Sequence, residues 1–290
     1  MSRPTLGVLG LGRMGLPITQ ALLAAGYSVV AFDPEPHRVA DAVGAGAVAA
    51  ADEVAVAAAA EVLITVLPGS TEVGEVLPAA LAALPPGGVW LDLTSSDPEL
   101  VTRLAGDIPT VGAPMAGGPA AAQERRLQFY VGGPPAAVAR VAPVLAELGT
   151  SEVVGDDVGA GYTAKLLANL LWFGQAVAVT EALLLGQALG VPPATLRATL
   201  GRGAGGSVFI DEYLDRLLDG DYLESFGIDR CVEELEILVD LAARHDVPVP
   251  VSTAVTRLYR DALRRYGAVA GELLAARLLE ERAGRTLRRE

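Results

Sequence analysis

Cysteine and lysine are nearly absent from this chain, and each scarcity narrows the chemistry. The one cysteine, Cys231, cannot close an intramolecular disulfide and has no Cys or His beside it. That argues against a disulfide-stapled secreted module and against a thiolate metal site. Histidine is almost as rare, and His37 and His245 stand outside any recognisable motif. Positive charge is also short: 22 basic residues face 35 acidic ones, a formal net charge of −13. Such a surface repels phosphate backbones and anionic lipid, so neither nucleic acid nor a membrane is expected as a partner. The start, MSRPTLGVLGLG, breaks into glycines where a signal peptide needs a continuous apolar core, and a cytoplasmic protein is expected.

The shortage of lysine is the most pointed of these. Of the 22 basic residues, Lys165 alone is not arginine. Arginine cannot release a proton near neutral pH, whereas a desolvated lysine can, so a sole lysine in an arginine-only chain points to proton chemistry.

What is present is ample for folding. The chain has 290 residues, 51% of them hydrophobic, which suits two domains of ordinary size. Residues 5–10 read as a strand ending in glycine, 16–25 as a helix and 28–32 as a second strand. The alternation continues with strands at 61–68, 87–94 and 110–116, helical stretches at 52–60 and 72–84, and a final strand and helix at 127–133 and 135–149. Strands alternating with helices predict an α/β domain, a doubly wound parallel sheet over residues 1–158. From 162 to 190 the run is apolar nearly all round. Lys165, Asn169, Gln175, Glu181 and Gln187 interrupt it too often for a membrane span, so it reads as the central helix of an all-α domain at 159–290. Helices at 228–245, 250–266 and 268–283 complete that domain.

Gly10, Leu11, Gly12, Arg13, Met14 and Gly15 follow the first strand and open the first helix. Glycines at this spacing allow a tight turn, a close approach of backbone to a pyrophosphate and close helix packing, and the helix N-terminus favours negative charge. Asp33 ends the second strand about twenty residues on, where an acid accepts hydrogen bonds from ribose hydroxyls. Asp33 and Glu35 favour NAD, while Arg38 and His37 lie close enough to leave NADP open.

With these motifs in order, the chain resembles the β-hydroxyacid dehydrogenases, the group of 3-hydroxyisobutyrate dehydrogenase and tartronate semialdehyde reductase, related to 6-phosphogluconate dehydrogenase. The resemblance rests on the glycine turn with Met14 before Gly15, and on Leu67-Pro68-Gly69-Ser70 with Asp92-Leu93-Thr94-Ser95. It continues through the loop from Gly112 to Gly118 that leads to Tyr130-Val131-Gly132-Gly133, and through Gly159-Ala160-Gly161 with Lys165 and Asn169. It implies that Leu67, Pro68 and Ser95 meet the nicotinamide half of the cofactor. It also implies that Met115, Ala116, Gly117 and Gly118 form the substrate loop, the two glycines binding a carboxylate through backbone N–H groups. By the same resemblance Lys165 exchanges a proton with the substrate oxygen and Asn169 holds that oxygen or its neighbour. The implied activity is hydride transfer between NAD, or NADP, and a small β-hydroxyacid or its semialdehyde, in a homodimer or homotetramer.

The chain also departs from the family. Ala116 stands where serine is usual, Gly112 where an acid often opens the loop, and Arg125 where glycine is usual. Glu233-Glu234 stand where Lys-Asp is common. Arg125 is a candidate anchor for an anionic substrate, and Glu233 a candidate substrate contact. Two other functions remain open at this point: an imine reductase, which shares the run from Gly112 to Ala116 and Tyr130, and a non-catalytic dinucleotide-binding module.

Overall fold

Four consecutive fully buried residues make β1 (Leu6–Leu9), and the glycine turn after it hands the chain to α1 (Gly15–Ala24). The same unit repeats. It gives β2 (Val29–Phe32), α2 (Pro36–Gly44), β3 (Val48–Ala49), α3 (Glu53–Ala59), β4 (Val62–Thr65), α4 (Ser70–Ala83), β5 (Val89–Asp92), α5 (Pro98–Ala105) and β6 (Thr110–Gly112). Then follow β7 (Met115–Ala116), α6 (Gly118–Gln123), β8 (Leu127–Gly132), α7 (Pro135–Ala146) and β9 (Gly149–Gly155). In this computed structural model, which describes residues 3–224 and 226–289, the strands order β3-β2-β1-β4-β5-β6-β8-β7, with β9 on β8. Strands β1 to β6 pair in parallel where they are neighbours, whereas β8 runs antiparallel to β6 and β7. Side chains alternate across the pleat. Leu6, Val8, Val62, Ile64 and Leu91 fill one core, and Leu9, Leu63 and Trp90 a second.

The chain divides into two compact units, 1–165 and 166–290. The second is helical: the greater part of α8 (Val158–Ala188), then α9 (Pro193–Gly201), a π-helical turn at Phe209–Tyr213, α10 (Leu214–Leu218), α11 (Ile228–Arg244), α12 (Pro250–Tyr266) and α13 (Leu274–Ala283). One core gathers Phe173, Cys231, Leu235, Tyr259 and Leu274, another Leu183, Phe209, Leu214 and Leu273. By length and composition α8 could cross a membrane, and 33% of its apolar window is buried within the chain.

The fold class is as expected, while β3, β9 and the helices α2, α5 and α6 are additions to the expected elements and three of those expected differ locally. The strand expected at 110–116 is two strands, because Pro114 has no N–H to continue a ladder. The sheet is not parallel throughout, since β8 is antiparallel. The helix expected from 268 begins at Leu274, because Gly271 holds φ at 146° and its N–H bonds instead to the Phe226 carbonyl at 2.8 Å.

Candidate active site

The glycine turn after β1 is built from close backbone contact. A Cβ on Gly15 would lie 1.9 Å from the Gly10 carbonyl oxygen, and Gly10 itself holds φ at 93°. Only glycine fits such a turn. At Gly12 the space is open, with nothing nearer to a Cβ position than Arg38 Nη1 at 4.0 Å. Helix α1 starts with no side-chain cap and no acid in its first turn, and although the Leu16 and Ile18 N–H groups bond to the Gly12 and Met14 carbonyls, the positive end of the helix is offset by no charge of its own. This arrangement fits a pyrophosphate. Asp33 is buried at the end of β2, and its carboxylate accepts from Leu11 N–H at 2.8 Å and Glu35 N–H at 2.9 Å. Arg38 pairs with it at 3.3 Å. The acid therefore latches the glycine loop to the sheet. Arg13 lies on the exposed side of the turn, and Met14 and Gly15 pack inward.

The next loops converge on one carboxylate. Asp92, at the end of β5, is fully buried and accepts from Thr65 Oγ1 at 2.6 Å, Tyr162 Oη at 2.7 Å and Thr94 N–H at 3.1 Å. Burial pushes its carboxyl above the usual range, and the Thr65, Thr94 and Tyr162 donors pull it back in part. The Tyr162 hydroxyl is pushed well up by burial and by the Asp92 charge. Thr94 Oγ1 accepts from Leu67 N–H at 3.0 Å, which joins the segment holding Leu67 and Pro68 to the one holding Ser95. Lys165 follows Tyr162 by three residues on α8, is 7% exposed, and makes no hydrogen bond or ion pair among the described residues.

In the loop expected to meet the substrate, Met115 and Ala116 pair with Phe129 and Gln128. Gly117 and Gly118 then turn the chain with φ of 123° and 68°, a region that other residues adopt only at a cost. Arg125 is exposed beyond α6 and also left-handed, with φ of 56°. A glycine there would be unstrained.

In the helical unit, Asn169 Nδ2 donates to Glu234 Oε2 in a short contact. A carboxylate only accepts, so this contact orients the amide. Glu234 is 4% exposed and lies on the stripe of α11 that buries Cys231, Leu235 and Leu238, whereas Glu233, one position earlier, is half-buried and pairs with Arg230 at 2.7 Å. The sequence motif points to Glu233, and the structure gives the contact with Asn169 to its neighbour. The helical spacing of the apolar residues around Glu234 is the signal that could have found it. The Asp92–Tyr162 contact carries no such signal, because the two are 70 positions apart.

A family model described as the NAD binding domain of 6-phosphogluconate dehydrogenase matches residues 5–159, and one described as NAD-binding of NADP-dependent 3-hydroxyisobutyrate dehydrogenase matches 159–279. The 2-(hydroxymethyl)glutarate dehydrogenase of Eubacterium barkeri is 30% identical over 88% of this chain and 87% of its own length. Among solved structures, the 3-hydroxyisobutyrate dehydrogenase of Mycobacterium tuberculosis with L-serine superposes with a TM-score of 0.87 at 24% identity, covering 96% of this chain and 99% of that one. An imine reductase of Streptomyces aurantiacus shares the fold more loosely, with a TM-score of 0.62 at 23% identity, covering 95% and 99%.

Proposed function

This chain belongs to the β-hydroxyacid dehydrogenase family, NAD(P)-dependent oxidoreductases that move a hydride between a nicotinamide nucleotide and a small β-hydroxyacid, and from that premise we propose how its own residues carry the reaction. The observation that carries the proposal is the chain's sole lysine, 7% exposed and without a protein partner among the described residues. Lys165 Nζ takes the proton from the substrate hydroxyl during oxidation and returns it during reduction. Asn169, one helical turn along, has its amide oriented by Glu234 and steadies that oxygen or the neighbouring group. Gly117 and Gly118 offer backbone N–H groups to the substrate carboxylate, with Met115 and Ala116 beside them and Arg125 and Glu233 as outer contacts. Gly10, Gly12, Arg13, Met14, Gly15 and Asp33 hold the adenosine and pyrophosphate half of the nucleotide, and Leu67, Pro68 and Ser95 its other half. When bound, the nucleotide supplies the hydride donor or acceptor. Two acids after β2, Asp33 and Glu35, favour NAD over NADP.

The same proposal includes a cytoplasmic homodimer or homotetramer. Leu167, Leu171 and Leu185 are exposed on one side of α8, at spacings of four and fourteen residues, with exposed Leu189 just past its end, an apolar stripe that a second copy would cover.

The test is the initial rate of nicotinamide reduction with NAD and NADP on 3-hydroxyisobutyrate, 2-(hydroxymethyl)glutarate and L-serine, with a cyclic imine run in the reductive direction. Lys165→Ala should lower kcat by about 10²- to 10⁴-fold, the range of general acid–base catalysis. Full turnover by that variant, or reduction of the imine alone, would overturn the proposal.

A further inference from the structure

Gly112 opens the substrate loop and has no room for a side chain. A Cβ there would lie 2.3 Å from Tyr162 Cε2 and 2.7 Å from the Val158 carbonyl oxygen. The tyrosine ring occupies the place that an acid would fill at this loop position. Gly161 makes a similar close contact, its Cβ position 2.4 Å from the Tyr130 carbonyl oxygen and 2.6 Å from that of Gly112. The first turns of α8 thus lie directly on the backbone of β6 and β8. Such a smooth contact fixes distance better than it fixes rotation, since Gly159, Ala160, Gly161 and Ala164 carry little side chain to interlock.

Tyr162 supplies what they lack. Among the described residues of 158–165, it is the one whose side chain hydrogen-bonds outside the helix, to Asp92. Asp92 is in turn held by Thr65, whose Oγ1 accepts from Trp90 Nε1 at 2.9 Å, and by the Thr94 N–H of the segment that binds Leu67. One buried carboxylate thereby joins β4, β5, both cofactor-side loops and the helix that bears the lysine.

We propose that the Tyr162–Asp92 hydrogen bond is a positioning device that sets the rotation of the first turns of α8, and so holds Lys165 in register with the loops at 67–68 and 94–95. Tyr162 and Lys165 are three positions apart and share a side of the helix, so a rotation at one is a displacement at the other. Tyr162 is a positioning residue, since it is wholly buried and acts through Lys165. This role rests on the proposed function of Lys165.

Three variants test it: Tyr162→Phe, which keeps the ring and removes the hydroxyl; Trp90→Phe, which damages the same network but leaves the Tyr162–Asp92 bond; and Lys165→Ala. Hydrogen exchange of the free protein should speed up in the peptide spanning 158–165 for Tyr162→Phe and stay unchanged there for Trp90→Phe. On the best substrate of the panel above, Tyr162→Phe should lose about tenfold or more in kcat, with KM for nucleotide and substrate within about twofold, the split expected when only a transition-state alignment is lost. Trp90→Phe, at a temperature well below its melting point, should keep kcat within about twofold. Unchanged exchange in Tyr162→Phe, or equal kcat losses in Tyr162→Phe and Trp90→Phe, would overturn the positioning role. A silent Lys165→Ala beside a fully active Tyr162→Phe would overturn it while sparing the lysine's role. Full turnover by Lys165→Ala would overturn both.

Discussion

The two units bury a carboxylate in opposite ways. In the sheet unit, Asp92 accepts from three protein donors. In the helical unit, Glu234 takes Asn169 on one oxygen, and its other oxygen, Oε1, is buried with no partner among the described residues. A satisfied buried acid stabilises the framework around it, because removing it strands every donor that pointed at it. A half-satisfied one carries a standing cost and keeps an acceptor in reserve. The difference belongs to these two acids and not to the units as wholes, since Glu280 of the helical unit, 4% exposed, accepts from Tyr222 Oη, Leu287 N–H and Arg288 Nη1.

Removing Asp92 is the harshest way to break this comparison. Asp92→Ala would strand the Thr65 and Tyr162 hydroxyls and the Thr94 N–H in an apolar interior, at about 1–3 kcal/mol for each group left unpaired. We expect a loss of about 3 kcal/mol or more by urea unfolding, enough to threaten folding of a marginally stable domain. A loss below about 1 kcal/mol would show that the network relaxes and that the framework role is mistaken.

Glu234→Gln sharpens the other side. The amide keeps an acceptor for Asn169 and replaces the unpartnered oxygen with a donor, so stability should change by less than about 1 kcal/mol. If that oxygen is held for a donor on the substrate, KM should rise about tenfold, which corresponds to about 1.4 kcal/mol of binding. Equal KM in the two proteins would leave Glu234 as a holder of Asn169 and nothing more.

The smallest effect is expected at Arg125, where strain is carried on the surface. Arg125→Gly relieves a left-handed arginine but adds freedom to the unfolded chain, and the two terms leave a gain of about 0.5 kcal/mol. Thermal unfolding measures that gain. A rise in KM for an anionic substrate in the same variant would mark Arg125 as an anchor, and an unchanged KM would mark it as a solvated turn residue.

Much of the fold is legible in the amino-acid order alone, in the helical unit as in the sheet unit: α11 and α12 lie where their periodicity places them. Gly10, Gly12 and Gly15 can be placed because a tight turn at a helix start imposes conditions on single residues, and glycine alone meets them. Lys165 can be placed because its residue type is unique in the chain. Glu233 and Glu234 are separated by the apolar stripe of α11, on which Glu234 lies with Cys231, Leu235 and Leu238 while Glu233 stands about a hundred degrees away. Position 268 looks helical by periodicity. The Gly271 turn, pinned by the Phe226 carbonyl, prevails over that local pattern.

By itself the sequence determined the alternation of strands and helices, the place of the glycine cradle and the singular position of Lys165, because each follows from conditions on one residue or on a short repeating pattern. Only the tertiary structure decided that β8 runs antiparallel, that Tyr162 fills the space above Gly112 and reaches Asp92, and that Glu234 is the acid that meets Asn169. Those are pairings across 65 and 70 positions for the two acids. Spacing along the chain cannot specify them, since they depend on how close-packed elements settle against one another in three dimensions.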